Sequence, residues 1–272
     1  MNIIVLIPVY KEIPDKDESL SLEQCFKILG EKYDTRLCCP TTLNTSAYNE
    51  IVGHEIKAER FAPHFFEGIE GYNDLMTSTS FYRHFKKFDY MLIYQLDAWV
   101  FSDQLEYWCS KGYDYIGAPW FGKCGTYENG DELSTCGNGG FSLRKIRTFI
   151  KFTSSGTRLM PIGKVLRTRF KSLKELYKDI CFLLFNNNLK WFRRKKSYYW
   201  EDIYFCFILD ENGHKLHRPS PREAAQFSFE CSPSYLYELT GNTLPFGCHA
   251  YKKNQYETFW KNHIPGIEQK EE

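Results

Sequence analysis

Short apolar runs that stop at polar loops, one after another, constrain this chain more than any other feature. The first, NIIVLIPV at residues 2–9, is rich in β-branched residues and gives way to PVYKEIPDKDES; another, YMLIY at 90–94, gives way to QLD. Each has the length and composition of a buried strand bounded by a loop. Between and after them the apolar residues fall into helical spacing. The pattern predicts a helix over 19–30 with Leu20, Leu22, Phe26 and Leu29 inward, a strand at 36–39, a helix over 45–53 and a strand at 58–66. An amphipathic helix follows over 72–87. Beyond Asp97, Ser102 or Asp103 can cap a helix reaching Lys111. YDYIGAPW reads as a strand, FGKCGTYENGDELSTCGNGG as a long loop, and FSLRKIRTFIKF as a strand followed by a helix. Strands alternating with helices predict an α/β fold with a mainly parallel central sheet, whose ligands bind beyond the carboxyl ends of the strands. PVYKE and QLDAW both fall at such ends. With no internal repeat and no low-complexity linker, residues 1–272 are expected to form one domain.

The charge is unevenly spread. Residues 151–197 hold thirteen Lys or Arg against two acids, Glu175 and Asp179, a local +11 in a chain whose net charge is +1. Within that stretch Leu166, Phe170, Leu173, Leu176, Tyr177, Ile180 and Leu184 recur at three- and four-residue steps, and KWFRRKK follows. A basic, mainly helical insertion is therefore expected over 151–197. Its cations and apolar stripe suit an anionic membrane surface, engaged through 164–197, where each cation contributes about 1 kcal/mol. A helix packed on the domain with a solvated basic side would have the same composition. Nucleic acid would also accept such a stretch, but the remaining chain is net negative and carries no recognisable nucleic-acid module.

Ten cysteines without a C-x-x-C pair, an N-terminus without a basic leader and no apolar run of about 18 residues predict a cytoplasmic chain with free thiols, peripheral on the inner membrane face if the basic helix docks there. A zinc site of Cys124, Cys136, Cys248 and His249 is conceivable but lacks paired spacing. His214 and His217, alternating in GHKLHRP, read as a strand edge. An aromatic content of 17% is high, and serves stacking surfaces and thick cores alike.

Five stretches belong together: IPVYKE (7–12), QLDAWVF (95–101), GNGGFSLR (137–144), WEDIYF (200–205) and FGCHAY (246–251). In this order they resemble the GT-A class of nucleotide-sugar-dependent glycosyltransferases, and are similar to a group of bacterial glycosyltransferases of unassigned specificity. The resemblance spans roughly residues 2–260. It implies a Rossmann-like GT-A domain that moves a sugar from a nucleoside-diphosphate sugar to a hydroxyl of a glycan or glycolipid, as in bacterial surface polysaccharide synthesis.

The resemblance also implies roles. Pro8, Val9 and Tyr10 would line the nucleotide pocket, with Tyr10 stacking on the base. The D-x-D motif of the class falls on QLD, which keeps Asp97 as the ligand of a divalent metal, or on DAW, which puts Trp99 there. The QLD register keeps AWVF aligned with the apolar residues that usually follow. Gln95 then replaces the first Asp; it can bond a ribose hydroxyl but supplies no charge, so the expected Mn²⁺ or Mg²⁺ rests on a degenerate motif. A strand-end Asp can also cap the next helix, although Asp103 is better placed for that. Gly139 and Gly140 would let the backbone pass close beneath the donor sugar, with Asn138 bonding its hydroxyls; a plain turn before a strand would look similar. Asp202 would be the general base of an inverting enzyme and Glu201 would orient the acceptor, while acids also favour a helix N-terminus for its dipole alone. His249 would complete the metal shell beside Asp97. The residues leave two other classes open: a nucleotidyltransferase, for which no Gly-rich basic triphosphate loop is present, and a non-catalytic protein that binds glycan, or nucleic acid through its basic stretch.

Overall fold

A computed structural model describes residues 1–122, 132–154, 158, 160, 162–166, 172–189 and 200–266. Phe170, Cys124 and the KWFRRKK stretch lie outside the described residues.

The fold is α/β, built on a six-stranded sheet. Strand β1 (Ile3–Pro8) lies between β2 (Asp34–Pro40) and β4 (Tyr90–Tyr94), parallel to both, and β3 (Ala58–Phe61) extends the parallel run beyond β2. On the other side β4 pairs antiparallel with β9 (Phe141–Lys145), which pairs antiparallel with the two-residue β6 (Tyr115–Ile116). Only β9 is reversed, so the sheet is mainly parallel, as the alternating runs predict.

Strands buried on both faces need apolar residues at successive positions, and β1 shows why. Ile3, Val5 and Ile7 face a core shared with Leu22, Cys25 and Tyr48 from helices Lys16–Cys25 and Ser46–Val52. Ile4 and Leu6 face a second core with Leu75, Phe81, Phe85, Phe149 and Phe152, supplied from the opposite layer. A smaller three-stranded sheet stands at the carboxyl edge of the first: β10 (Ser228–Phe229), β11 (Gly247–His249) and β5 (Ala98–Val100), with β11 parallel to β10 and antiparallel to β5. Trp99, Phe229, Cys248 and Trp260 close a third core beneath it.

Several local expectations shift for identifiable reasons. The first helix begins at Lys16, three residues early, because Asp15 accepts the N–H groups of Asp17 and Glu18 while Glu18 accepts that of Asp15. The strand expected to reach Phe66 stops at Phe61; Pro63, without an N–H for a ladder, opens a 3₁₀ turn. The helix expected over 72–87 is two helices, Gly68–Met76 and Thr79–His84. YDYIGAPW divides between β6 and β7 (Pro119–Phe121), and the presumed long loop contains β8 (Leu133–Cys136), paired antiparallel with β7. His214 and His217 form no strand edge. Around His217 the backbone bonds are spent on Asp114, whose N–H donates to the His217 carbonyl and whose carboxylate accepts the His217 N–H.

The basic stretch is helical where described: helix Leu173–Cys181, capped reciprocally by Ser172 and Glu175, runs on through a wider π-turn over Phe182–Asn186. Several of its apolar side chains are exposed. Leu173 is 88% exposed, Tyr177 69% and Phe185 72%. No described helix is long and apolar enough to cross a membrane.

Candidate active site

The site grows from strand ends. After Tyr94 the chain leaves β4 through Gln95, Leu96 and Asp97 and turns at once into β5. The Gln95 N–H donates to the Gly140 carbonyl (2.9 Å) and the Ala98 N–H to the Gln95 carbonyl (2.9 Å), which holds the turn against β9. In the small sheet His249 pairs with Ala98 and Cys248 with Trp99. Alternate strand residues face opposite ways, so Cys248 enters the third core while His249 faces the turn. That separates Cys248 from His249 and removes the zinc grouping as a common site.

His249 is the hub. Its Nε2 lies 3.1 Å from Gln95 Oε1 and 3.1 Å from Asp97 Oδ1, and its Nδ1 lies 3.0 Å from Glu230 Oε1. Burial opposes charge on the ring, but Asp97 and Glu230 hold its pKa up at about 10. Burial would likewise raise Asp97; the charges of His249 and Lys253 bring it down to about 2. Asp97 therefore does not act as a helix cap, and Asp103 has that neighbourhood, accepting from the Leu105 N–H (3.3 Å), Lys32 and Tyr33.

These donors fit a divalent cation. Two ligands at right angles, each about 2.1 Å from an ion, stand about 3 Å apart, which is the spacing of His249 Nε2 from the oxygens of Asp97 and Gln95. Glu230 behind the imidazole adds the outer carboxylate that usually backs a metal-binding histidine. Among the described residues no group of three His, Cys, Asp or Glu side chains is arranged to hold a metal ion, so the set that could hold one is Asp97, His249 and the amide oxygen of Gln95.

Beside this cluster is a cavity of about 420 Å³, a size that suits a small organic ligand. Because β1 and β4 are neighbours, Pro8, Val9 and Tyr10 at one strand end line it together with Gln95 and Asp97 at the other. Tyr10 is 62% exposed, with Lys11 Nζ 6.0 Å from its ring centroid. The Tyr48 hydroxyl donates to the Lys11 carbonyl (2.7 Å) and pins the loop after β1.

The GNGG turn joins the cluster to the acidic pair. Asn138 Oδ1 accepts the Gly140 N–H (3.1 Å) and closes the turn on itself. A Cβ on Gly140 would strike His249 Nε2, and one on Gly139 would strike the Glu201 carboxylate. The glycines make room for the site's own side chains. Glu201 and Asp202 open the helical run 201–211, with the Glu201 N–H donating to Asn73 Oδ1 (3.0 Å). Glu201 Oε1 accepts from Arg144 Nη2 (2.8 Å), while Oε2 is buried without a hydrogen-bond partner. Arg144, fully buried on β9, also donates to Tyr82 Oη (2.9 Å), Ser142 Oγ (3.0 Å) and the Gly139 carbonyl (3.3 Å).

Asp202 differs from its neighbour. Its Oδ1 accepts the Ile203 N–H (2.8 Å), but burial, and then the charge of Glu201, push its pKa up to about 7. A carboxyl poised there exchanges protons readily near neutrality. Tyr72 lines the cavity with its hydroxyl buried beside Gln95.

Of the site residues expected from the sequence, Pro8, Val9, Tyr10, Gln95 and Asp97 line the cavity, His249 reaches Gln95 and Asp97, Gly140 and Gly139 abut His249 and Glu201, and Asp202 follows Glu201 at the start of its helical run. Sequence reasoning missed Arg144, Glu230 and Tyr72. Arg144 had a usable signal: Ser142 and Arg144 alternate with Phe141 and Leu143, so two polar residues share one face of an otherwise apolar strand.

Fold and site together define an α/β protein with a ligand cavity at its strand ends and acid–histidine chemistry beside it. The chain belongs to the family described as "Protein of unknown function (DUF5672)", which matches residues 55–249. That span contains Gln95, Asp97, the GNGG turn and the acidic pair, ends on His249, and omits β1. No curated protein matches the sequence. Among solved structures, mouse xyloside xylosyltransferase 1 in its apo form is similar with a TM-score of 0.48 at 8% identity, over 92% of this chain and 97% of that one. An active-site mutant of LgtC gives 0.46 at 11% identity, over 90% and 86%. Core-mannan synthase A from Aspergillus fumigatus, in its Mn/GDP form, gives 0.40 at 8% identity; the match covers 66% of this chain and only 64% of that enzyme's. With all three TM-scores below 0.5, the functional reading rests on the site geometry.

Proposed function

We propose that this protein is a glycosyltransferase that moves a sugar from a nucleoside-diphosphate sugar to a hydroxyl of a glycan or glycolipid. The observation that carries the reading is the convergence of Asp97, Gln95 and His249 beside the cavity at the ends of β1 and β4, joined through one glycine turn to Glu201, whose neighbour Asp202 is a carboxyl poised near neutrality. A nucleoside seated in the cavity would set its base against Tyr10 and its ribose near Gln95. Asp97 and His249 would hold a divalent metal, Mn²⁺ or Mg²⁺, which when bound supplies positive charge to the leaving diphosphate. Asp202 takes the proton of the acceptor hydroxyl. Glu201, fixed by Arg144, offers its unpartnered Oε2 to a sugar hydroxyl, and the buried Tyr72 hydroxyl is available on the same cavity wall.

Thermal unfolding with UDP-, GDP-, CMP- and dTDP-sugars, each with and without Mn²⁺, tests the reading. One nucleotide class should raise the melting temperature in a Mn²⁺-dependent way, since a ligand at 100 times its Kd adds about 2.7 kcal/mol. A shift indifferent to metal would keep the donor and retire Asp97 and His249 as ligands. No shift with any donor would sink the proposal.

We further propose that the acceptor is presented at an anionic membrane surface on the cytoplasmic side, as a precursor of bacterial surface polysaccharide. Support comes from the exposed Leu173, Tyr177, Leu184 and Phe185 within a stretch of local charge +11. The protein should co-sediment with phosphatidylglycerol vesicles and not with phosphatidylcholine vesicles, and Leu173→Ser/Leu184→Ser should release it. Equal behaviour on both lipids would remove this part of the reading.

A further inference from the structure

We infer that Glu230 is a positioning residue, holding His249 with its Nδ1 proton turned inward so that Nε2 is free to bind metal together with Asp97. The inference rests on the metal reading given above, and deepens it by assigning the residue that prepares the histidine.

The small sheet makes the arrangement inevitable. Phe229 pairs with Cys248, so Glu230, one residue past β10, stands beside His249 at the end of β11. Ala98 pairs with His249 from the other side, and Asp97 immediately precedes it. Three strand ends thus present Glu230, His249 and Asp97 in a row, though the sequence separates them by up to 152 positions. The imidazole spans the row, with Nδ1 3.0 Å from Glu230 Oε1 and Nε2 3.1 Å from Asp97 Oδ1.

A neutral imidazole has one N–H and one lone pair. Glu230 offers only lone pairs at its carboxylate, so it takes the N–H on Nδ1. The Nε2 lone pair then faces two more oxygens, Asp97 Oδ1 and Gln95 Oε1 at 3.1 Å. That place holds either a proton on Nε2, donated to Asp97 and Gln95, or a cation bound in its stead. Without the Glu230 carboxylate the ring could rotate or carry its proton on Nε2, and the third donor would be lost. At 13% exposure the Glu230 side chain is largely shielded from water that could replace it.

The test is Mn²⁺ binding followed by electron paramagnetic resonance, with Mn²⁺ alone and with UDP or GDP, on full-length wild type, Glu230→Ala, Glu230→Gln, His249→Ala and Glu230→Ala/His249→Ala. Loss of an outer partner of a metal-binding histidine typically costs 10- to 100-fold in affinity, so Glu230→Ala should raise the Mn²⁺ Kd by that factor. Glu230→Gln, which keeps an oxygen acceptor for Nδ1–H, should recover most of the affinity, a rescue that a merely structural role would not show. The double variant should bind no more weakly than His249→Ala. Equal Kd for wild type and Glu230→Ala overturns the inference and leaves the Asp97–His249 site standing. A further loss in the double variant also overturns it, since Glu230 would then act other than through His249. Failure of wild type to bind Mn²⁺ under any of these conditions overturns both the inference and the metal reading. Urea unfolding of each variant separates misfolding from these outcomes.

Discussion

Asp202→Asn lowers the rate of sugar transfer by about 10²- to 10⁴-fold, the usual contribution of a positioned general base, and leaves donor binding unchanged. In the wild type the rate climbs as pH rises through about 7 and levels off above it, because burial and the charge of Glu201 place the Asp202 carboxyl there and only its ionised form can accept a proton. The same shift has a stability signature. A carboxyl whose pKa is raised by folding stabilises the native state fully below the unfolded value, near 4, and this stabilisation is lost as pH rises through about 7. Asp202→Asn, which carries no charge, should match the wild type near pH 4 and exceed it at pH 8 by up to about 4 kcal/mol. Rates and urea midpoints at both pH values check this. A variant that retains full transfer would transfer the base role to another group.

The largest stability loss is expected for Arg144→Met. It strips the only ion-pair partner of the Glu201 carboxylate among the described residues, and removing one member of a buried pair typically costs about 3–5 kcal/mol. Tyr82, Ser142 and the Gly139 carbonyl lose a shared donor as well. Adding Glu201→Gln to Arg144→Met removes the stranded charge and should recover part of the loss. A urea midpoint for Arg144→Met within about 1 kcal/mol of wild type would show that the Arg144–Glu201 pair is not what stabilises this region.

The central sheet was legible where its physics is local. Strands β1 and β4 are apolar at every position because helices cover both faces, and that density is visible in the letters. The reversal of β9 was not visible, since FSLRK looks the same in either direction and its pairing with β4 is decided 50 residues away. Strands β5, β10 and β11 have two or three residues each and exist only because they pair with one another. Glu230 therefore carried no local mark, although it touches the central histidine. The short motifs placed Asp97, Gly140, Glu201 and His249 on one list of residues, but only the folded chain shows that Gly140 abuts His249 and Gly139 abuts Glu201. The apolar periodicity of 173–184 was correctly helical over Leu173–Cys181, yet periodicity does not say how much of the stripe is covered, and Leu173, Tyr177 and Leu184 are exposed.

One consecutive pair of glycines touches both ends of the site. Backbone advances by roughly 3.5 Å per residue, so the step from Gly139 to Gly140 is a gauge between Glu201 and His249, which in the proposed reaction would serve the incoming hydroxyl and the departing diphosphate. The length of that gauge is set by covalent geometry, so the two ends cannot be tuned separately by side chains on the turn. Divergence in sugar preference would then have to come from the surrounding walls, such as Tyr72 and the loop after β1, while the spacing stayed constant.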